Sequence, residues 1–498
     1  MTSLPPPTPY SPTELARLYP SSLALQQVHI FLRHGERTPI KPRFAHLNHP
    51  PLWPYCRYAR TMRALISLPA PAADSIPPPP AELLWQRNLQ TLSAADGTAQ
   101  PHPAGPDLCA PGTLTDAGRA STHALGAHLR QLYVTSLGFL PPKLSQSTDL
   151  ALRSTGVPRA LESLLHAVAG LYPAAARAAD LPPFAVTQTA PADETLVPNT
   201  AACARLRQLA EAFSARAAVR WDASPAADRV HAQLARHLAG SPDARDAARI
   251  GVASRPSALG VLDSVNASRA KGTGAATRLP REFYHADVLA GLEAAGVDEW
   301  FAMYAESAEA RRLGSGALLG DVVAGLVRAA EGGDPTAAGG PPPKMALAGC
   351  HDTTLAALLS ALGAFDGRWP PFTSHVAVEL FRAADRPAPK PQGPSGSRTW
   401  AWLGGSTARI GRTPTAELAG AQRKALDGYF VRVRYNDRPL VVPGCAAAGR
   451  HLPGDESFCT LAAFKEIVDN ITPRHWKAEC ASNLDQPAIP STPEPAGY

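Results

Sequence analysis

Charge is scarce in this chain: 18% of its 498 residues are Asp, Glu, Lys or Arg, and the formal net charge is +6. No basic stripe longer than scattered pairs occurs, which argues against a nucleic-acid partner. A mild positive excess bears on attraction of anions and not on fold. Long apolar runs are also missing. None approaches the roughly 18 residues that cross a bilayer, so no transmembrane segment is expected. Met1 to Tyr10 is proline-rich and lacks the apolar centre of a secretory signal. The seven cysteines are odd in number, widely spread and without a CxxC pair. Metal-ligand spacing is therefore absent, and neither a metal nor a cofactor is expected. Cys445, Cys459 and Cys480 lie late in the chain and can pair if oxidised. The missing signal instead favours reduced thiols in an intracellular compartment, cytoplasmic with mitochondrial as the alternative.

Proline is abundant, with 52 residues, about twice the usual share. Clusters such as Pro77–Pro80 and Pro341–Pro343 read as loop insertions, and residues 70–112 as a long surface excursion. Around them the pattern alternates between short apolar strands and helices, so an α/β fold is expected, a central mixed sheet flanked by helices. Residues 1–26 read as an irregular lead-in with a short helix near Pro12–Tyr19. Residues 27–174 and 344–480 form the α/β domain, 175–343 an alanine-rich helical cap, and 481–498 a flexible tail. Tyr429 to Tyr435 alternates, turns at Asn436-Asp437 and returns through Leu440 to Val442, a hairpin signal.

Three segments share one design, a short strand that runs into charged residues. Gln27–Leu32 delivers Arg33, His34 and Arg37. Leu144–Leu152 delivers Arg153. Met345–Gly349 delivers His351 and Asp352. Ligands of open α/β sheets bind beyond the carboxyl ends of the strands, so these residues point to one anion site. Arginine forks match phosphate oxygens. A neutral imidazole is a nucleophile near neutral pH, and an alkoxide leaving group needs a positioned acid. Asp352 is thus the candidate acid, and Arg33, His34, Arg37, Arg153 and His351 converge on the anion site, with a histidine as the nucleophile. The substrate class is a small-molecule phosphate monoester. Glu36 is expected to point away from the anion, and Trp85, Trp369 and Trp476 to serve packing. His29 reads as a hydrogen-bonded structural residue and Cys350 as an inert packing residue.

At these positions the chain resembles the histidine acid phosphatase family, branch two of the histidine phosphatase superfamily. Arg33 to Pro39 fits the RHGxRxP signature, and Gly112-x-Leu114-Thr115-x-x-Gly118 fits the segment that follows. Arg153-Ser154-Thr155, with Arg159 and Ser163 beyond, fits the second arginine motif, and His351-Asp352 fits the catalytic pair. The resemblance implies a phosphoglycerate-mutase-like α/β domain with a helical cap, and metal-independent hydrolysis through a phosphohistidine, with His34 as nucleophile, Asp352 as proton donor and Arg33, Arg37, Arg153 and His351 holding the phosphate. Asp352 separates this reading from a phosphotransferase of the same superfamily. The complete residue set argues against a phosphatase-like domain that binds a ligand without turnover. His351–Leu355 followed by Trp369-Pro370-Pro371-Phe372 is most similar to intracellular lysophosphatidic acid phosphatases. A lysophospholipid and a sugar or inositol phosphate are the candidate substrates, and a phytase-like activity is the alternative. Lys41 and Arg43 read as solvated loop cations, with help in selecting an anionic or multiply phosphorylated substrate as the alternative.

Overall fold

The computed structural model describes residues 2–498 apart from 6–7, 58–60, 67–80, 87, 89, 94, 103–104, 106, 239–248, 333–341 and 388–409. The proline cluster 77–80 and most of the loop 332–343 therefore lie outside the described residues.

A nine-stranded mixed sheet organises the chain. Its centre is Leu23–Arg33, where Val28, Ile30 and Leu32 face one core and Phe31 the other, the period-two division of a strand buried on both faces. On one side Leu23–Arg33 pairs in parallel with Met345–Cys350, which pairs in parallel with Leu150–Ser154. On the other side the antiparallel strands His375–Ala383 and Tyr429–Tyr435 follow. Helices Asp116–Leu129 and Pro158–Leu171 cover one face. Helices Ala317–Ala330, Asp352–Ala361 and Leu461–Ile471 cover the other. Between Leu150–Ser154 and Met345–Cys350 the chain leaves the sheet and builds a cap from helices Ala204–Asp222, Pro225–Leu238, Ala258–Ser268 and Ala286–Glu306.

The expected hairpin forms: Tyr429–Tyr435 pairs with Arg438–Leu440, and Asn436 and Asp437 take the positive φ of 45° and 69° that a two-residue turn needs. The lead-in is shorter than expected, because the central strand begins at Leu23 and extends residues that lack a clean apolar pattern. The second strand begins at Leu150, not Leu144, because Ser147–Asp149 forms a helical turn. One helical stretch among the described residues, Ala308–Ala330, is apolar and long enough to span a bilayer, but 78% of its apolar window is buried in the protein and it serves as core.

Two expectations are corrected. The thiols are not reduced: Cys56–Cys109, Cys203–Cys480 and Cys445–Cys459 are disulfides. Cys480 thus pairs with the first residues of the cap, 277 positions away, a closure that spacing along the chain does not reveal. Cys350 stays a buried free thiol that burial pushes up to about 12, as an inert packing residue should be. The tail is not loose either. Arg205 donates to the carbonyls of Gln486 and Pro487, Arg311 Nη2 donates to Pro495 O at 2.9 Å, and Glu494 N donates to Glu306 O at 2.8 Å. Buried guanidinium groups of the cap need acceptors, and tail carbonyls supply them.

Candidate active site

Register brings the functional residues together. Arg33 stands opposite Cys350 and Ser154 opposite Gly349, so three parallel strands end at one level. The chain of His34 is held there by its N–H to Cys350 O, 3.1 Å, and that of Thr155 by its N–H to Gly349 O, 3.3 Å. The loop after His34 packs against the helix Asp116–Leu129 so closely that both contact points must be glycine. A Cβ on Gly35 would lie 2.3 Å from Gly118 O, and one on Gly118 would lie 2.2 Å from Glu36 O. Thr115 caps that helix by accepting from Gly118 N, and its hydroxyl donates to Glu36 O. The Glu36 carboxylate accepts from Ser121, away from His34.

His34 is 1% exposed. Its Nδ1 faces Gly35 O at 2.9 Å. A carbonyl only accepts, so Nδ1 carries the proton and the Nε2 lone pair is free. Burial, and then Arg33, Arg37 and Arg159, push the imidazole well below its ordinary value, so it stays neutral in acid. His351 lies edge-on to it, with ring centroids 5.6 Å apart, and its Nε2 meets Thr155 Oγ1 at 3.0 Å. Burial, and then the charge of Arg159, lowers His351 to about 4.

Arg33 Nη2 pairs with Asp352 Oδ2 at 2.7 Å, and Nη1 donates to Pro370 O. Its guanidinium lies 4.2 Å over the Phe372 ring, which fixes the plane of the fork. Arg37 Nη1 pairs with Asp263 Oδ1 at 2.8 Å and also donates to Thr38 O. Burial raises the Asp352 carboxyl, but Arg33, Arg37, His351 and a 3.0 Å hydrogen bond from Trp369 Nε1 outweigh it, and the net direction is down. Trp369 therefore does more than pack, which was all the sequence led us to expect of it.

The structure does not bring Arg153 to His34. Its side chain turns aside to Glu194 Oε1 at 2.8 Å and to the hydroxyl of Thr195 at 3.0 Å. The guanidinium that acts on His34 and His351 belongs to Arg159, in the first turn of Pro158–Leu171. That turn is tied to the signature loop through Ser163, whose Oγ accepts from Gly35 N at 3.1 Å and donates to Arg159 O at 2.7 Å. The signal for Arg159 was present in the sequence, as the far half of the same motif. The Nε–H groups of Arg33, Arg37 and Arg159 are buried without an acceptor among the described residues, as are those of Arg153, Arg216, Arg249 and Arg382 away from His34. What sets the first three apart is that their guanidinium charges act together on the ring of His34. Three forks around a neutral imidazole, with a carboxyl beside them, form a site for a phosphate group.

A family profile described as histidine phosphatase superfamily (branch 2) matches residues 24–436. The chain belongs to that family. A protein of Schizosaccharomyces pombe named probable acid phosphatase is 34% identical over 93% of this chain and 95% of its own length. Human lysophosphatidic acid phosphatase type 6 is 26% identical over 73% of this chain and 75% of its own. Among solved structures, the Citrobacter braakii phytase shares the fold, with a TM-score of 0.52 at 15% identity over 92% of this chain and all of that one. No group of His, Cys, Asp and Glu that could hold a metal occurs among the described residues.

Proposed function

We propose that this chain, an acid phosphatase of the histidine phosphatase family, cleaves phosphate monoesters by attack of His34 Nε2 on phosphorus. Arg33, Arg37 and Arg159 bind the phosphate oxygens and neutralise charge in the transition state. His351, oriented by Thr155, supports one of them. The P–O bond to the alcohol breaks as the P–N bond forms, and Asp352 passes its proton to the leaving oxygen. Water then attacks the phosphohistidine, the P–N bond breaks, and the water's proton returns to Asp352. The observation that carries this reading is the Nδ1–H of His34 fixed on Gly35 O, which leaves a free lone pair at Nε2 among three guanidinium groups.

Asp352 is ionised in the free site by its pair with Arg33. An arriving phosphate takes up the Arg33 fork and brings negative charge beside the carboxylate. Both changes raise the carboxyl's affinity for a proton, so substrate binding itself charges the acid. The relatives named for lysophosphatidic acid and the Trp369–Phe372 segment support a lysophospholipid as the substrate. The three disulfides fit an oxidising compartment, and we infer that location in place of the cytoplasmic one suggested by the sequence.

The test is hydrolysis of p-nitrophenyl phosphate with EDTA present, from about pH 4 to pH 8, by wild type and His34→Ala. Wild type is expected to turn over in acid with EDTA, and the variant to lose activity by about 10³-fold or more. Retained turnover in His34→Ala removes the nucleophile assignment.

A further inference from the structure

A carboxylate of the cap reaches the phosphate-binding loop. Asp263, on Ala258–Ser268, receives Arg37 Nη1 on Oδ1 at 2.8 Å and the backbone N–H of Ile40 on Oδ2 at 2.9 Å. Arg43 Nη1 stands 3.6 Å from Oδ2, and the Arg43 guanidinium rests on Gly260, where a Cβ would lie 2.8 Å from its Nε. Arg43 is therefore not a solvated loop cation. The Asp263 side chain is 15% exposed, so its charge is poorly screened and reaches Arg33 and Arg159 as well.

A fixed negative charge beside an anion site is a cost unless it selects something. Around His34 stand the cations Arg33, Arg37 and Arg159 and the carboxylates Asp352 and Asp263, while both histidines are neutral. Arg43, which also faces Asp263, makes the cations four against two carboxylates, so two positive charges are left in excess in the free site, enough for one phosphate dianion. Further out, Arg269 and Glu293 line the cavity beside Arg33 and offset each other, and Lys41 is exposed to solvent. Such a field accepts one phosphate group. A second anionic group on the Arg37 side of the scissile phosphate would meet the like charge of Asp263.

We propose that Asp263 is a specificity-determining residue, selecting esters with a single phosphate over substrates that carry a second anionic group next to the scissile one. This rests on the phosphomonoesterase reading and deepens it. Because Asp263 also orients Arg37, a plain loss of activity in a variant does not test selectivity. The ratio of two substrates within each variant does.

The experiment measures kcat/KM for glycerol 3-phosphate and for inositol hexakisphosphate, in wild type, Asp263→Asn and Asp263→Glu. Where the hexakisphosphate is turned over too slowly, its Ki against p-nitrophenyl phosphate replaces kcat/KM. Asp263→Asn is expected to shift the ratio toward the hexakisphosphate by about tenfold, through KM or Ki and not kcat. Asp263→Glu should restore the wild-type ratio. An equal change for both substrates in Asp263→Asn overturns the proposal. If wild type hydrolyses neither these esters nor p-nitrophenyl phosphate, the phosphomonoesterase reading falls with it. If wild type is active and His34→Ala is dead while the ratio never moves, only the role of Asp263 falls.

Discussion

Trp369 and Asp352 are joined by one hydrogen bond, and it has a measurable consequence. The indole Nε1–H donates to the carboxylate at 3.0 Å, so it favours the ionised form. Trp369→Phe keeps the ring and removes that donor, so the carboxyl holds its proton to higher pH. The alkaline limb of the kcat profile, which follows loss of the acid's proton, should move to higher pH in Trp369→Phe. An unmoved limb would show that another group sets it. The two arginines of the second motif separate as cleanly. Arg159→Ala removes a fork that acts on His34 and is expected to lower kcat/KM by about 10²-fold. Arg153→Ala breaks the pair with Glu194 at the end of its strand and is expected to cost about 1 kcal/mol of stability with catalysis largely retained. Steady-state kinetics beside denaturant melts of both variants decide this, and a reversed pattern would return Arg153 to the site.

The elements explain why some of this was legible in the sequence and some was not. Strands that end in Arg33, Ser154 and Cys350 were readable because short apolar runs stop at charged residues, and parallel pairing then sets their ends level. His34, His351, Asp352, Arg33 and Arg37 follow from that alone. Arg153 and Arg159 are six residues apart in one motif, and Arg153 is held aside by Glu194 and Thr195, some forty residues further on, which no local pattern names. Asp263 comes from the cap, more than two hundred residues from the loop it meets, and the pairing of Cys203 with Cys480 is of the same kind. The close contact of Gly35 with Gly118 was legible only as two motif glycines, and the structure shows what they exclude. Gly118→Ala is therefore expected to push the signature loop off its helix, at a stability cost of about 3 kcal/mol or more, with a larger loss of kcat than of substrate affinity. Thermal melts and kinetics of the variant check both parts. A variant with wild-type kcat would mean that the loop tolerates the shift.

Over the whole molecule, the groups that suit the site to acid work against the fold in acid. His29, hydrogen-bonded to Gln27 in the middle of the central strand, is lowered to about 4 by burial and then by Arg328, and His351 is lowered to about 4 by burial and then by Arg159. His34 lies well below its ordinary value for the same first reason. A histidine whose folded value lies below its unfolded value near 6.5 binds its proton more readily in the unfolded chain. Its contribution is complete above about pH 6.5 and is lost as pH falls from there toward the folded value. For His29 and His351 that amounts to about 2 kcal/mol each by pH 5. The buried carboxylates Glu379 and Asp437, held low by arginine or histidine partners, add their own loss only below the ordinary carboxylate range. Glu299, whose carboxyl burial raises to about 7, works the other way over the same range but is one group against these histidines, so the Tm is expected to fall from pH 7 to pH 5, the range over which turnover should rise. Inorganic phosphate, which meets the buried arginine donors of the folded site and nothing equivalent in the unfolded chain, should recover part of that loss. His29→Gln, far from the phosphate, should flatten the Tm profile and leave its response to phosphate intact. A Tm that does not change between pH 7 and pH 5 would mean that these histidines are hydrated or paired in the folded protein, and the neutral state assigned to His34 would then need an independent measurement by NMR titration of its ring.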